Sequence, residues 1–211
     1  MAYDLEEQEQ LAELKAWWAT YGKWVLTAAI VVLGALAGWR GYQIWASSRA
    51  VNASVMYEQV EQAVQSKDAT KVKAAAGALI AQYPSTLYAS LSALEAARYY
   101  VEAGDLKSAE AQYQWVIDKS GSDEAQALAR LRLAGVLLDE KRLDEAQKAL
   151  AVTPPASFES LFADRRGDIY LAQQKTAEAR KEYQTALDKL GPRAGALRSL
   201  VQVKLDALGD A

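Results

Sequence analysis

The stretch from Trp24 to Trp39, WVLTAAIVVLGALAGW, contains no charged side chain and constrains the fold more than any other part of the chain. Lys23 and Arg40 bound it, and with its immediate neighbours it reaches about twenty residues, the length that a helix needs to cross a bilayer. A surface helix of a soluble domain needs a polar face, and this stretch has none. The sequence therefore predicts one membrane-spanning helix.

Aromatic residues flank the stretch on both sides, as they do at membrane–water interfaces. Five of the six tryptophans of the chain lie in this region, so the flanks are not an accident of composition. A helix from Tyr21 to Tyr42 extends roughly 31 Å, close to the thickness of one hydrocarbon core. The aromatic residues are Trp17, Trp18, Tyr21 and Trp24 before the stretch and Trp39, Tyr42 and Trp45 around its end.

Two other interpretations of this stretch are a buried core helix and a cleaved signal peptide. Ala35-Leu36-Ala37 resembles a small-residue cleavage site. A signal peptide, however, begins with a short positive region, whereas the residues before this stretch are numerous and acidic. We therefore expect an uncleaved anchor. The acidic residues that support this expectation are Asp4, Glu6, Glu7, Glu9 and Glu13.

The charges near the anchor do not orient it. Lys15 and Lys23 precede the span, and Arg40 and Arg49 follow it closely. Because basic residues are balanced and long domains translocate largely regardless of charge, the positive-inside rule selects neither orientation.

Gly34 and Gly38 form a GxxxG pattern inside the span. Small residues four apart allow a second membrane helix to approach closely, since packing rather than hydrophobic exclusion drives association in lipid. Glycine is also common in membrane helices without this role. We expect a helix–helix contact at these two glycines.

The composition argues against several classes of function. The 211 residues carry a net charge of −3 with no basic stripe, so nucleic-acid binding is not expected. The chain has no histidine and no cysteine, which removes the usual zinc sites, thiol catalysis and histidine-based triads. No Ser-x-x-Lys motif and no glycine-rich phosphate loop is present. We expect no catalytic site, no metal and no cofactor.

From Arg49 onward the pattern of apolar residues is helical throughout. They recur at intervals of three and four, as in Leu87, Leu91 and Leu94, and no long run alternates with period two. Short turn signals cut the region into paired helices of a dozen or so residues. The predicted breaks are Lys67-Asp68, Tyr83-Pro84, Gly104-Asp105, Gly121-Ser122, Lys141-Arg142, Pro154-Pro155, Gln174-Lys175 and Gly191-Pro192.

The helix pairs repeat. GDLKSAEAQY (104–113), KRLDEAQKAL (141–150) and QKTAEARKEY (174–183) align at spacings of about 37 and 33, near the 34-residue tetratricopeptide period. In that motif small residues let the two helices of a pair approach, and aromatic rings fill the remaining space. The pair from about Arg49 to Tyr83 lacks this signature. Signature positions are Ala97, Tyr100, Ala109, Tyr113 and Val116; Ala134, Leu137, Ala146 and Leu150; and Gly167, Tyr170, Ala179, Tyr183 and Ala186.

The fold class that follows is all-α, with one N-terminal transmembrane helix before a tetratricopeptide-like helical-repeat solenoid. We expect an acidic tail or helix over 1–21, an anchor with aromatic flanks over 22–45 and a degenerate repeat domain over 46–211. A final helix from Arg193 to Leu208 is expected to cap the open end of the solenoid.

The chain resembles the YfgM family, the ancillary subunits of the SecYEG translocon. The resemblance rests on the acidic tail, the anchor ending in GWR (38–40) and three stretches of the repeat region. It implies a cytoplasmic N-terminus, a periplasmic repeat domain and residence in a bacterial inner membrane. It also implies association with SecYEG and with a membrane-anchored periplasmic chaperone of the PpiD type. The stretches are LYASLSALEAARYYVEAGDLKSAEAQ (87–112), RLRLAGVLLDEKRLDEAQKAL (130–150) and ADRRGDIYLAQQKTAEAR (163–180).

Repeat solenoids bind partners on the surface formed by the first helix of each pair. The positions that usually face this surface predict a partly apolar groove, which is either open to a peptide or closed by a neighbouring helix. They are Leu91, Leu94, Arg98, Val101 and Glu102; Leu128, Leu131, Gly135, Leu138 and Asp139; and Leu161, Asp164, Asp168, Leu171 and Ala172.

We interpret the chain as a non-enzymatic adaptor or chaperone-like accessory of the translocon, which binds partners or unfolded translocating polypeptides. The alternative is a structural scaffold that links envelope complexes without binding clients. Exposure of Leu91, Leu94, Leu128 and Leu131 in the folded domain would favour the first interpretation.

Overall fold

The computed structural model describes residues 2–191 and 194–209, and within them the regular structure is helical. This confirms the all-α fold. A short 3-10 turn at Ala156–Phe158 precedes α7. The helices are α1 (Ala2–Gln65), α2 (Ala69–Gln82), α3 (Leu87–Glu102), α4 (Leu106–Lys119), α5 (Asp123–Asp139), α6 (Leu143–Ala149), α7 (Glu159–Ala172), α8 (Thr176–Lys189) and α9 (Gly195–Asp206).

The predicted breaks agree with these bounds. Seven of the eight lie between helices, from Lys67-Asp68 to Gln174-Lys175. The eighth includes Pro192, which lies outside the described residues together with Arg193, the predicted start of the last helix. Within the described residues that helix begins at Gly195.

The chain divides into two compact units, Met1–Ser48 and Arg49–Ala211, which are described separately. In the first unit, α1 carries the apolar stretch. Only 6 % of an apolar 18-residue segment of α1 is buried. A core helix of a soluble domain would be mostly buried, so the structure does not support that interpretation. By length and composition, α1 can cross a membrane.

The aromatic residues of the first unit form two groups on α1. The Trp17 and Tyr21 rings lie 5.7 Å apart, and the Tyr42 and Trp45 rings lie 5.9 Å apart. Trp18 covers Gly22, where an added β-carbon would lie 3.0 Å from its ring. These groups stand on either side of the charge-free stretch, as the interface interpretation requires.

The turns inside the helix pairs of the second unit share one backbone conformation. Each contains a residue with positive φ: Lys67 (52°), Gly104 (78°), Lys141 (64°) and Gln174 (62°). These residues recur 37, 37 and 33 positions apart. The first pair, which lacks the sequence signature, therefore has the same turn as the other three.

Side chains at the helix starts explain where several helices begin. Asp68 accepts hydrogen bonds from two backbone N–H groups of α2, and Asp105 accepts one at the start of α4. Thr86 and Ser122 do the same for α3 and α5. Because the first N–H groups of a helix have no partner inside it, these side chains favour its beginning there.

The core is built from the small and aromatic residues of the repeat signature. Ala97, Ala109, Tyr113 and Val116 belong to one buried cluster that runs from the end of α1 into α7. A second cluster joins α7, α8 and α9 and contains Ala179, Tyr183, Ala186 and Val201. The signature thus marks residues that pack between helices, which is what the repeat interpretation predicts.

The first helices of successive pairs lie side by side, with α3 packed on α5 and α5 on α7. They form one face of the repeat domain, and this arrangement positions the site described next. The second helices differ in length: α4 and α8 have 14 residues each, whereas α6 has only 7.

Candidate functional site

A cleft of about 500 Å³ lies where α3, α5 and α7 meet. Tyr113 of α4 reaches it from behind. This volume is within the range of small-ligand pockets and holds a few side chains of a bound peptide. The cleft is lined by Leu94, Glu95, Arg98, Val101, Glu102, Tyr113, Leu128, Leu131, Arg132, Gly135, Val136, Asp139 and Arg165.

The floor of the cleft is apolar and partly exposed. Leu94, Leu128 and Leu131 are partly buried, and Val101 is 36 % exposed. Leu94 and Leu131 also pack against the main core cluster. These side chains therefore support the domain on one side and present apolar surface to a ligand on the other.

The charged side chains on the α3 wall pair with one another. Arg98 donates a 2.8 Å hydrogen bond to Glu95, one turn earlier, and lies 4.0 Å from Glu102, one turn later. All three side chains stand on the same face of α3, as spacings of three and four require. The charge of Arg98 is thus engaged within its own helix.

The α5 and α7 wall carries two other guanidinium groups. Among the side chains that the structure describes, no carboxylate lies within ion-pairing distance of Arg132, which is exposed. The Arg165 guanidinium lies over Gly135, 3.8 Å from the position of an added β-carbon. Its Nη1 is 3.7 Å from Asp168, and its buried Nε has no hydrogen-bond partner. Buried donors are normally bonded, so this nitrogen is an exception, and Arg165 is engaged only through its long contact to Asp168.

A lysine of α9 holds both predicted aspartates of α7, Asp164 and Asp168. Lys204 Nζ donates a 2.7 Å hydrogen bond to Asp164 Oδ1 and a 3.0 Å bond to Asp168 Oδ2. The Tyr183 hydroxyl donates a 2.9 Å bond to Asp168 Oδ1. Burial raises the pKa of Asp164, although the hydrogen bond from Lys204 opposes this rise. Burial and the Asp168 charge also raise the pKa of Tyr183.

The structure brings together some of the predicted groove residues and separates others. The lining contains Leu94, Arg98, Val101, Glu102, Leu128, Leu131, Gly135 and Asp139. Leu91, Leu138 and Leu161 are partly buried and are not part of the lining. Leu171 and Ala172 are exposed at the end of α7. Asp164 and Asp168 are engaged by Lys204, which the sequence analysis did not identify.

A second depression, of about 600 Å³, lies beside the short helix α6. Its apolar floor is already covered, since Ile117, Leu133 and Leu137 are at most 8 % exposed. It therefore offers less apolar surface than the cleft, despite its larger volume.

Arg142 on the rim of this depression is already engaged. It pairs with Glu110, Glu140 and Glu145. The hydrogen bonds that Arg142 donates to these carboxylates, led by those to Glu145, raise its pKa. We therefore take the cleft as the candidate site.

In the first unit, Gly34 and Gly38 face open space. An added β-carbon at either glycine meets no atom within 4 Å. The surface predicted for a helix–helix contact is thus sterically accessible in the described chain.

Comparison with known proteins agrees with this architecture. A family model described as a tetratricopeptide repeat-like domain matches residues 15–210. The ancillary SecYEG translocon subunit of Neisseria gonorrhoeae is 37 % identical over 212 residues, covering 99 % of this chain and 100 % of that protein. Proteins of the same name from Aggregatibacter actinomycetemcomitans and Escherichia coli are 32 % and 28 % identical. Those alignments cover 99 % and 96 % of this chain, and 100 % and 96 % of the relatives.

No solved structure matches the chain significantly. The family assignment therefore rests on the full-length relatives, on the family model and on the helix-pair architecture itself. These three observations agree, and the chain belongs to the family of the ancillary SecYEG translocon subunits.

Proposed function

We propose that this chain is a non-enzymatic, membrane-anchored accessory of the bacterial Sec translocon. Its repeat domain binds segments of other proteins in the cleft between α3, α5 and α7. The names of relatives that align over their full length support the association with the translocon. The observation that carries the binding role is the partly exposed apolar floor formed by Leu94, Leu128 and Leu131.

The proposed location is the bacterial inner membrane, with the N-terminus in the cytoplasm and the repeat domain in the periplasm. The single candidate span in α1 and the family membership support this proposal. The proposed partners are SecYEG and a PpiD-type chaperone, as the resemblance implies. An anchor beside the channel raises the effective concentration of the cleft near emerging polypeptides, so that weak and reversible binding is sufficient there.

The cleft is suited to such binding for a physical reason. Each leucine that a ligand covers contributes roughly 1.5–3 kcal/mol of apolar transfer when burial is complete, and less when the side chain is already partly buried. Three partly buried leucines therefore give a modest total. A site of this kind binds apolar segments transiently, as an adaptor or chaperone-like protein requires.

The test is site-specific photocrosslinking in cells with the full-length chain. A photoreactive residue replaces Leu94 or Leu131, and a control replaces Lys181, an exposed residue of α8. During arrested translocation we expect the cleft positions to crosslink to the emerging chain or to translocon partners, and the control not to. Crosslinks to envelope proteins from α8 without any from the cleft would favour the structural scaffold instead.

The topology is tested separately. A reporter that is active only outside the cytoplasm is fused after Ala211. We expect activity, because the proposed orientation places the repeat domain in the periplasm. Activity of a cytoplasm-only reporter at the same position would reverse the orientation.

A further inference from the structure

We propose that the cleft selects peptide segments in which an acidic side chain stands next to apolar residues. This inference rests on the proposed function, because it names the chemistry of the segment that the cleft binds. The acidic side chain pairs with Arg132 and Arg165 on the α5 and α7 wall. The neighbouring apolar side chains cover Leu128 and Leu131 on the floor.

The Arg132 guanidinium is open to a ligand. It is exposed, and among the described side chains no carboxylate pairs with it. Arg132 and Leu128 are four residues apart on α5, so they are neighbours on one helix face. A ligand whose acidic residue contacts the Arg132 guanidinium can therefore place the side chain of its neighbouring residue on the apolar floor.

Arg165 lies beside a carboxylate that α9 engages. Lys204 and the Tyr183 hydroxyl occupy both oxygens of Asp168, at 2.8–3.0 Å. Arg165 is left with a 3.7 Å contact to the same carboxylate and an unpartnered Nε. The guanidinium lies over Gly135, in the cleft lining, and its Nη atoms, unlike the buried Nε, are the donors left for a ligand.

The acidic residues of the cleft do not pair with Arg132. Glu95 and Glu102 share Arg98 on the α3 wall, so they pair within their own helix. Asp139 lies seven residues after Arg132, about two turns or 10 Å along α5. The unpaired charge of Arg132 and the charge of Arg165, which has only the 3.7 Å contact to Asp168, thus both lie on the α5 and α7 wall. A guanidinium binds a carboxylate in a fork geometry that gives direction as well as affinity.

The experiment measures binding of three matched peptides to the full-length chain in nanodiscs. The fluorescent nine-residue peptides share the same apolar residues and differ at one central position: glutamate, its isostere glutamine, or lysine. We expect the glutamate peptide to bind about five- to tenfold more tightly than the glutamine peptide, the effect of one charge-assisted contact. The lysine peptide should bind most weakly, and added salt should reduce the difference.

Variants of the chain assign the effect to residues. Arg132→Gln and Arg165→Gln should lower the affinity for the glutamate peptide toward that for the glutamine peptide, and should leave the glutamine peptide unaffected. Lys119→Gln, an equal change of charge at an exposed residue of α4 outside the cleft, should change neither affinity. Arg132→Glu should bind the lysine peptide better than the glutamate peptide. Circular dichroism confirms that each variant is folded.

The outcomes separate this inference from the function beneath it. Equal binding of all three peptides would overturn the acidic preference and leave peptide binding intact. A preference for glutamate that persists in both arginine variants would place the recognition elsewhere and overturn the assignment. No binding of any peptide would contradict the cleft itself, and the proposed binding role with it.

Discussion

A β-carbon placed on Gly167 would lie 2.5 Å from the ring of Tyr183, so α7 and α8 approach each other as closely as glycine allows. Tyr183 is fully buried, and its hydroxyl donates a hydrogen bond to Asp168 on α7. The ring therefore cannot withdraw without losing this bond. The pair shows in atomic terms why the repeat motif places a small residue opposite an aromatic one.

Gly167→Ala should destabilise the repeat domain by about 1–3 kcal/mol, the usual cost of overpacking a core. In an ordinary helix interior the same change stabilises by about 1 kcal/mol, because alanine is the better helix former. Gly77 in α2 is the matched control, since an added β-carbon there meets nothing within 4 Å. Thermal unfolding of the full chain in detergent, followed by circular dichroism, should show opposite shifts for the two variants. Shifts of the same sign would contradict the close approach.

Lys141→Gly should stabilise the domain by about 0.5–1 kcal/mol. Lys141 adopts φ of 64° in the turn before α6, a conformation that disfavours residues with a β-carbon. Gly104 occupies the equivalent turn with φ of 78°, which shows that glycine fits there.

The control for this change is Lys73→Gly inside α2, which should destabilise by a similar amount. Both variants remove one exposed lysine, so charge effects are comparable. The same unfolding measurement applies. Destabilisation by Lys141→Gly would show that the lysine side chain contributes more than the backbone strain costs.

The sequence predicts much of this fold because its signals are local. The predicted breaks and the spacing of apolar residues at intervals of three and four depend only on nearby positions, and the structure confirms the helices that they predict. The aromatic and small residues of the last repeat, such as Gly167 and Tyr183, lie in the pair contact that the motif predicts. Even the first pair, without the signature, keeps the turn at Lys67.

The candidate site depends on contacts between distant residues, which the repeat pattern does not contain. Lys204 reaches Asp164 across 40 positions, and only the packing of α9 on the last pair brings them together. Likewise, Arg165 lies over Gly135 of α5, a residue 30 positions earlier in the chain. One signal in the sequence points to this contact: Lys204 lies between the apolar Val201 and Leu205 in α9, where a charge needs a partner.

Lys204→Met should destabilise the domain by about 2–3 kcal/mol at neutral pH. The lysine is the cation between two partly or fully buried carboxylates, Asp164 and Asp168. Removing one partner of a buried ion pair leaves the other charge without compensation. Asp164→Asn should cost less, because it leaves Lys204 paired with Asp168. The two melting temperatures, compared in the same detergent, test this order.

The pH dependence has a definite sign. Burial raises the pKa of Asp164 in the folded state, so the folded chain binds this proton more readily than the unfolded chain. The contribution of Asp164 to the free energy of unfolding is therefore least favourable at pH values above its raised folded-state pKa. It becomes more favourable as the pH falls through that pKa, and the gain is complete below the pKa of the unfolded chain. Subtracting the Asp164→Asn profile from the wild-type profile removes the opposite effects of Asp68 and Asp105, whose pKa values are lowered. If the stability of the wild type relative to Asp164→Asn decreased on acidification, the raised pKa of Asp164 would be contradicted.

Gly34→Leu combined with Gly38→Leu should preserve membrane insertion and weaken co-purification with the translocon partners. Both changes keep the stretch apolar, so insertion is retained, but the larger side chains prevent a second helix from approaching closely. The open space around both glycines is available for such a helix. Ala28→Leu with Val32→Leu, four residues apart in the same charge-free stretch, is a control that also enlarges two side chains. Unchanged co-purification of the glycine variant would move the contact from the membrane helix to the repeat domain.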